Sequence, residues 1–374
     1  MKQLLAATLV LIGLADDAAV AREPSRTGFF RNTRLYSGLH LELWHYRKTQ
    51  TLEAVLPLYY SMELQELVEG MAVDVVTSPT LALVNGASSV EPNTLFGVAN
   101  SKVRLSQNIS NLVLLTAGLQ IPTGVNKLSA SQKNAAGAIS TQQMSFKVSR
   151  ASSGLDADFT AATSYEFTED LVLGLAVGYL LHGSYIPVKN GAKFNPGNEL
   201  TVSIGADYLL ALNTREISLM GNLVWAHYGA DRLAGGKVFE PGDRFSLTVQ
   251  GELRLPNEMR SVTDLAVLLR TPDKRPTTGS GSTTHKTNNR FSLGNYLYFA
   301  PRGSFTPHAV LRTSLYTENG YGTGDAVIGG AGAGGVVTLN RTTAMDARLV
   351  VEAGIMDKDL ILGGELSGGI RYVF

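Results

Sequence analysis

The sequence predicts an all-β fold, a transmembrane antiparallel β-barrel of about 14 to 16 strands with short turns at one end and long loops at the other. Three observations predict it. Side chains alternate between apolar and polar with period two, short and long connections follow one another along the chain, and the last segment is an amphipathic strand closing on Tyr372, Val373 and Phe374.

Period-two alternation means that successive side chains point to opposite faces, as they do in a strand. Over Arg244 to Leu255 one face carries Phe245, Leu247, Val249, Gly251, Leu253 and Leu255, and the other Ser246, Thr248, Gln250, Glu252 and Arg254. Leu200 to Leu210 and Leu171 to Leu181 repeat the pattern, and another strand is read over Leu95 to Gln107. A soluble sandwich would alternate in the same way, so the connections decide. Counted back from the C-terminus, Asn340 to Thr343 is short and Thr317 to Gly324 longer; Pro301 to Gly303 is short and Thr271 to Thr287 long. Pro256 to Glu258, Leu212 to Thr214 and Thr168 to Asp170 are short, whereas Gly229 to Asp243, Gly183 to Gly197 and Ile121 to Gln142 are long. Tight turns strictly alternating with long loops belong to a membrane barrel, with the turns periplasmic and the loops extracellular. That parity makes the final strand run inward, to end on the periplasmic side. Residues 35 to 93 are less legible. Strands are expected at Leu39 to Tyr46, Leu52 to Tyr60 and within Leu64 to Leu83. Whether this region holds one strand or three decides between about 14 and about 16, because bacterial single-chain barrels use even numbers.

Composition bounds the remaining possibilities. The 374 residues carry no net charge and no basic run, which argues against a nucleic-acid partner. There is no cysteine, hence no disulfide and no thiolate chemistry. Lys2, the apolar stretch Leu4 to Ala15 and the small residues Ala19-Val20-Ala21 read as a signal peptide over residues 1–21, leaving 22–374 as a single domain. No later stretch is apolar for long enough to span as a helix, so any spanning is by strands. The six histidines, His40, His45, His182, His227, His285 and His308, form no His-Glu-x-x-His pattern, and no nucleophile elbow is present. No enzyme, cofactor or metal is therefore expected. The run Gly329, Gly330, Gly332, Gly334, Gly335 lies within a strand pattern, where it lets the wall bend or the backbone be approached.

An ionised side chain on the lipid face costs roughly 2 to 4 kcal/mol at the bilayer midplane, so charges within strands should face the lumen. On this ground Lys102, Arg104, Asp207, Glu252, Arg254, Asp264, Arg270, Arg312, Arg348, Glu352 and Arg371 are the candidate lumen-lining residues. They either filter solutes electrostatically or pair with one another across strands. Aromatics near strand ends, namely Trp44, Tyr46, Tyr165, Phe167, Tyr179, Trp225, Tyr228, Tyr296, Tyr298, Phe299, Tyr316 and Tyr372, fit interfacial girdles. Phe194-Asn195-Pro196-Gly197-Asn198 is echoed by Phe239-Glu240-Pro241-Gly242-Asp243, each ending a long loop; ordinary turn chemistry is the favoured reading over a duplicated unit.

In the last strand, Ser367, Gly369, Tyr372 and the terminal Phe374 resemble the C-terminal assembly signal of bacterial outer-membrane barrels. The resemblance implies recognition by the barrel-assembly machinery and residence in outer-membrane lipid. The run from Asn111, reading NLVLLTAGLQIPTGVNKL, enters a long loop through Pro122-Thr123-Gly124. It looks like the FadL-like and meta-pathway phenol-degradation type of outer-membrane barrel. That likeness implies a channel taking up small, hydrophobic or aromatic solutes by passive or facilitated diffusion. No Asn-Pro-Ala element stands near residue 22, so no hatch and no ligand-binding residue is carried over. The alternatives are a surface barrel whose long loops bind a partner and, further off, an outer-membrane hydrolase. If the terminal signal is read as expected, Phe374→Ala lowers the yield of folded barrel in the outer membrane several-fold, measured by heat-modifiable migration on gels.

Overall fold

The computed structural model describes residues 34–64, 68–86, 93–109, 112–125, 127–141, 144, 146–148, 153–212, 215–276, 282–321 and 324–373. Residues 1–21, expected to be a signal peptide, and Phe374 of the expected assembly signal lie outside the described residues. Every long strand is antiparallel to its neighbours. The first, β1 (Arg34–Tyr46), pairs with β2 (Thr49–Val55) and β3 (Leu58–Glu63), which together make one stave. The next staves are β4 (Met71–Thr77) with β5 (Pro79–Asn85), and β6 (Asn93–Val98) with β7 (Ser101–Ile109). The wall continues through β8 (Val113–Ile121), β9 (Asp156–Glu166), β10 (Leu171–Leu181), β12 (Glu199–Leu212) and β13 (Arg215–Tyr228). It is completed by β16 (Arg244–Arg254), β17 (Arg260–Arg270), β20 (Arg290–Tyr298), β21 (Phe305–Tyr316), β22 (Ala326–Thr338), β23 (Thr343–Met356) and β24 (Asp359–Val373). β24 pairs back onto β1, from Arg34↔Val373 to Tyr46↔Ile361, and closes the sheet. The nineteen segments of this sheet form sixteen staves, the larger of the two expected counts.

Two of the three divided staves lie within residues 35 to 93, which is why that region reads poorly; the third, β6–β7, falls on the strand read over Leu95 to Gln107. Pro57 has no N–H to give to the ladder, so it separates β2 from β3 while its carbonyl still accepts the Gly38 N–H at 3.1 Å. At the same height the β6–β7 stave carries one extra residue. Val98 pairs with Pro79 and Lys102 with Val76, so four steps on one strand face three on the other. This bulge at Ala99–Asn100 reverses the parity of the stave and breaks its alternation.

Along each stave one face is covered and the other bare. On β23, Val350 is 0% exposed whereas Val351 beside it is 63% exposed; Leu349, Val351 and Ile355 stand in line outside. Leu39, Leu43, Leu173, Leu175, Leu247, Leu293 and Leu311 continue the bare apolar surface around the wall. A patch of that extent does not persist in water. It faces lipid, and the polar face turns inward, as the alternation predicts.

One expectation fails at the seam. From β8 to β23 the connections alternate short and long, but two loop-end turns beside the seam, Arg47-Lys48 and Asp357-Lys358, are tight. Arg47, Asp357 and Lys358 all have positive φ, the backbone of a two-residue hairpin turn, without the glycine or asparagine that would mark one in the sequence. Arg47 bridges both turns, to Asp357 Oδ2 at 2.7 Å and to Asp359 Oδ2 at 2.6 Å.

The long loops are laced to one another at their bases. The loops carry small sheets of their own, β11 (Phe194–Asn195) with β14 (Asp231–Leu233) and β15 (Gly236–Phe239), and β18 (Asp273–Pro276) with β19 (Ser282–His285). Asp156, Asp231 and Asp273 each accept a backbone N–H from a neighbouring loop, that of Gly183 (3.0 Å), Gly197 (2.8 Å) and Gly242 (2.8 Å). Both Pro-Gly echoes thus do the same job. A Cβ at Gly242 would lie 1.8 Å from the Thr271 carbonyl oxygen, and one at Gly197 1.9 Å from that of Gly229. At Gly329, on the outer face of β22, an added Cβ meets nothing within 4 Å. Gly242→Ala is expected to destabilise the barrel by about 1 to 3 kcal/mol through the backbone shift it forces, and Gly329→Ala to be near neutral. Urea-induced unfolding in lipid vesicles checks both.

Candidate functional site: a charged and narrowed lumen

Sixteen-stranded barrels are wide enough to leave an aqueous channel, so the interior surface is the place to look for function. Two things shape it here: an in-folded loop segment and a knot of ionised side chains.

The connection between β8 and β9 turns into the barrel. Its helix α1 (Ala130–Ile139) starts at a capping box, in which Ser129 and Gln132 exchange side-chain and backbone hydrogen bonds. Ala135 and Ile139 on the helix, with Met144 and Phe146 after it, are buried against Trp44, Ala82, Val84, Leu95, Tyr316, Ala326, Ile328, Met356 and Ile361. Those wall residues project inward from β1, β5, β6, β21, β22, β23 and β24. The segment therefore fills the lumen along one arc of the wall near the loop end, as the expected constriction by residues 121–142 requires. Its entry is fixed at Pro122-Thr123-Gly124, where the Thr123 hydroxyl donates to the Ala99 carbonyl and accepts the Ser101 N–H, both at 3.0 Å.

The charged residues lie on inward-facing positions and come in contacting sets. Arg312 on β21 donates from Nε to Glu352 Oε1 (2.8 Å) and from Nη1 to Glu365 Oε2 (2.6 Å). Arg348 holds the other oxygen of Glu365 and reaches the Tyr296 hydroxyl at 3.3 Å. Glu365 also accepts from Ser367 at 3.2 Å and lies 3.7 Å from His40 Nδ1. His40 Nε2 is 3.3 Å from Glu42, which accepts the Trp44 indole N–H at 2.9 Å. This knot is built on β1, β20, β21, β23 and β24. A second set joins Arg104 to Asp74 (3.7 Å), with the Tyr59 hydroxyl donating to Asp74 at 2.9 Å, and Lys102 to Asp158 (2.9 Å). On the remaining wall Glu252 meets Arg260 (3.5 Å), Asp264 accepts from Gln250 (2.7 Å), and Arg270 meets Asp273 (3.5 Å). Arg254 stands directly across from Arg260, Asp207 across from Val172 and Met220, and Arg371 across from Tyr36 and Ala344.

The candidate charges are thus spread around the lumen, and among the described residues Arg312, Arg348 and Glu352 are drawn into one network. His40, Glu42, Glu53, Asp74, Asp158 and Glu365 complete these sets and were not among the candidates. For Glu42 and Glu365 the signal was present, since each alternates with outward leucines on its own strand. Glu53 was hidden by the illegible staves. Small residues make room for the knot: a Cβ at Gly330 would come 2.9 Å from Glu352 Cγ, and one at Gly363 2.5 Å from the Trp44 ring.

The aromatic expectation is corrected in part. Tyr165, Phe167, Tyr179 and Phe299 are exposed outside, as girdle residues should be. Trp44, Tyr46, Tyr228, Tyr296, Tyr298 and Tyr316 have the inward parity instead, and all five of these tyrosines lie beside arginines, Tyr46 under Arg47 at 5.0 Å. Arg260 stacks over Tyr298 at 4.4 Å, Arg290 over Tyr316 at 5.6 Å, Arg348 over Tyr296 at 5.7 Å and Arg244 over Tyr228 at 5.9 Å. Nearness to a strand end does not decide which face a ring takes.

The architecture is that of a transmembrane β-barrel of the bacterial outer-membrane class. No protein-family model and no curated protein matches the chain. Among solved structures it is similar to OccAB1 of Acinetobacter baumannii, at 8% identity over 95% of this chain and 100% of the other, with a TM-score of 0.49. OccK5 (OpdH) of Pseudomonas aeruginosa covers 93% and 100% at 11% identity, with a TM-score of 0.48. An outer membrane channel of Pseudomonas putida F1 covers 96% and 100% at 9% identity, with a TM-score of 0.40.

Removing one member of a buried charge network strands its partners. Arg312→Met leaves Glu352 and Glu365 short of a guanidinium and is expected to cost about 3 to 5 kcal/mol. Exchanging Arg312 and Glu352 together for Met and Gln, which leaves Glu365 paired with Arg348, should restore part of that loss, as read by urea unfolding of the refolded barrel.

Proposed function

We propose that the protein is a channel of the bacterial outer membrane through which small solutes diffuse, with its turns in the periplasm and its long loops outside. The observation that carries this reading is the wall itself: a closed sixteen-stave barrel, apolar outside, whose interior is lined by ionised groups and narrowed by its own loop. A barrel serving only as an anchor has no need of an in-folded segment. The solute class supported best is small aromatic molecules with a polar substituent. The arginine–tyrosine pairs of the lumen offer flat ring faces next to hydrogen-bond donors, which would receive such a molecule without a deep pocket. The resemblance of the Pro122-Thr123-Gly124 entry points the same way. The barrel-assembly machinery and outer-membrane lipid are its proposed partners, and Ser367, Gly369, Tyr372 and Phe374 its assembly signal.

A second reading, in which the outer loops bind a partner, draws on their order. Tyr321 stacks on His285 at 5.2 Å, lies under the Arg275 guanidinium at 4.9 Å and donates to Asp273 at 2.8 Å. Desolvation, together with that bond to Asp273, pushes the Tyr321 phenol up to about 12. The cluster stays neutral at the phenol and holds the β18–β19 hairpin in place.

Planar-bilayer conductance and vesicle swelling with phenol-sized aromatics and with sugars test the channel reading. Currents and faster entry of the aromatics are expected; a refolded barrel that passes neither ions nor solutes would sink it. Deleting residues 277–281 is expected to leave conductance within a factor of two, and a loss of surface binding without loss of current would instead favour the second reading.

A further inference from the structure

Glu53, Glu42 and Glu365 stand in one row across three neighbouring staves. Glu42 on β1 is the cross-strand partner of Glu53 on β2 and of Glu365 on β24. All three are buried, and Glu53 is 0% exposed. Like charges directly opposite on a ladder are destabilising, so each carboxyl needs compensation of its own. Glu365 has it from Arg312 and Arg348, and Glu42 from Trp44 and His40.

Glu53 finds its compensation elsewhere. Its neighbour on the other side of β2 is Ala82. Its Oε2 accepts the Val148 N–H of the in-folded segment at 3.3 Å, and the backbone N–H and ammonium of Lys147 act on it from the same limb. Oε1 is buried with no hydrogen-bond partner among the described residues. The apolar contacts of that segment, through Ala135, Ile139, Met144 and Phe146, favour burial but are non-directional. The carboxylate–amide contact is directional, and it sits where the chain leaves the apolar cluster.

We propose that Glu53 is the positioning residue of the constriction: it latches residues 147–148 to the wall, holds α1 with Met144 and Phe146 against that arc and thereby sets the bore. This rests on the channel reading above. The row of glutamates, costly as wall structure, gains its purpose from the loop it captures.

The chain has no cysteine, and Gly137 is an exposed helix position where an added Cβ meets nothing within 4 Å, so a spin label on Gly137→Cys reports on the segment alone. Glu53→Leu, which removes the acceptor, is expected to raise label mobility and at least double single-channel conductance. Glu53→Gln keeps an acceptor and should stay near the parent in both. If Glu53→Leu fails to form a heat-modifiable barrel, Val148→Pro removes the N–H from the loop side with the wall intact and should give the same two changes. Unchanged mobility in whichever of these variants folds would overturn the latch, and raised mobility at unchanged conductance would overturn its control of the bore. Absence of current in the parent barrel would instead bring down the channel reading, while the label still judges the latch.

Discussion

Within a bilayer there is no water to satisfy a backbone N–H or carbonyl, and each orphan costs several kcal/mol. Everything else in this molecule depends on meeting that constraint by closure, with β24 paired to β1 over thirteen residues. Closure fixes which face of each stave is inside, and hence which side chains can be ionised. It also tolerates local faults. Pro57 and the bulge at Ala99–Asn100 interrupt the ladder of three adjacent staves, yet Leu56 still donates to the Pro79 carbonyl (2.9 Å) and Ala99 to that of Ser78 (3.3 Å).

What the wall encloses is a polar surface in which nearly every charge answers another. Sequence reasoning left open whether the inward charges filter solutes or pair with one another. The contacts show pairing, and pairing does not exclude filtering: a cross-strand ion pair still presents both signs to a passing molecule. Rigidity is the added property. Arg312 and Arg348 grip Glu365 from two staves, so the charged surface is braced from both sides.

The legibility of the sequence followed the regularity of the backbone. From β8 onward, strands of even alternation, such as Arg244 to Arg254 and Leu171 to Leu181, were placed within a residue or so. In residues 35 to 93 strands are expected at Leu39 to Tyr46, Leu52 to Tyr60 and within Leu64 to Leu83, and staves stand at all three, but the breaks between β2 and β3 and between β4 and β5 blur the alternation that would mark Asp74 and Glu53 as inward. The tightness of the turns Arg47-Lys48 and Asp357-Lys358 is not legible because neither carries the glycine or asparagine typical of a two-residue hairpin turn. Girdle aromatics were overcounted because rings such as Tyr296 and Tyr316 occupy strand ends yet point inward. The in-folding of residues 121–142 could be suspected from loop length, but its partners come from seven staves distant in sequence, and no local pattern encodes them.

The two tight turns at the seam have one more effect. They leave the loop end short beside β1, β2, β23 and β24, whereas the laced loops stand on the staves from β9 to β20. The short side is the arc against which α1 and its flanking residues pack from within. The wall is therefore backed internally where its turns are tight, and tied from loop to loop where its connections are long.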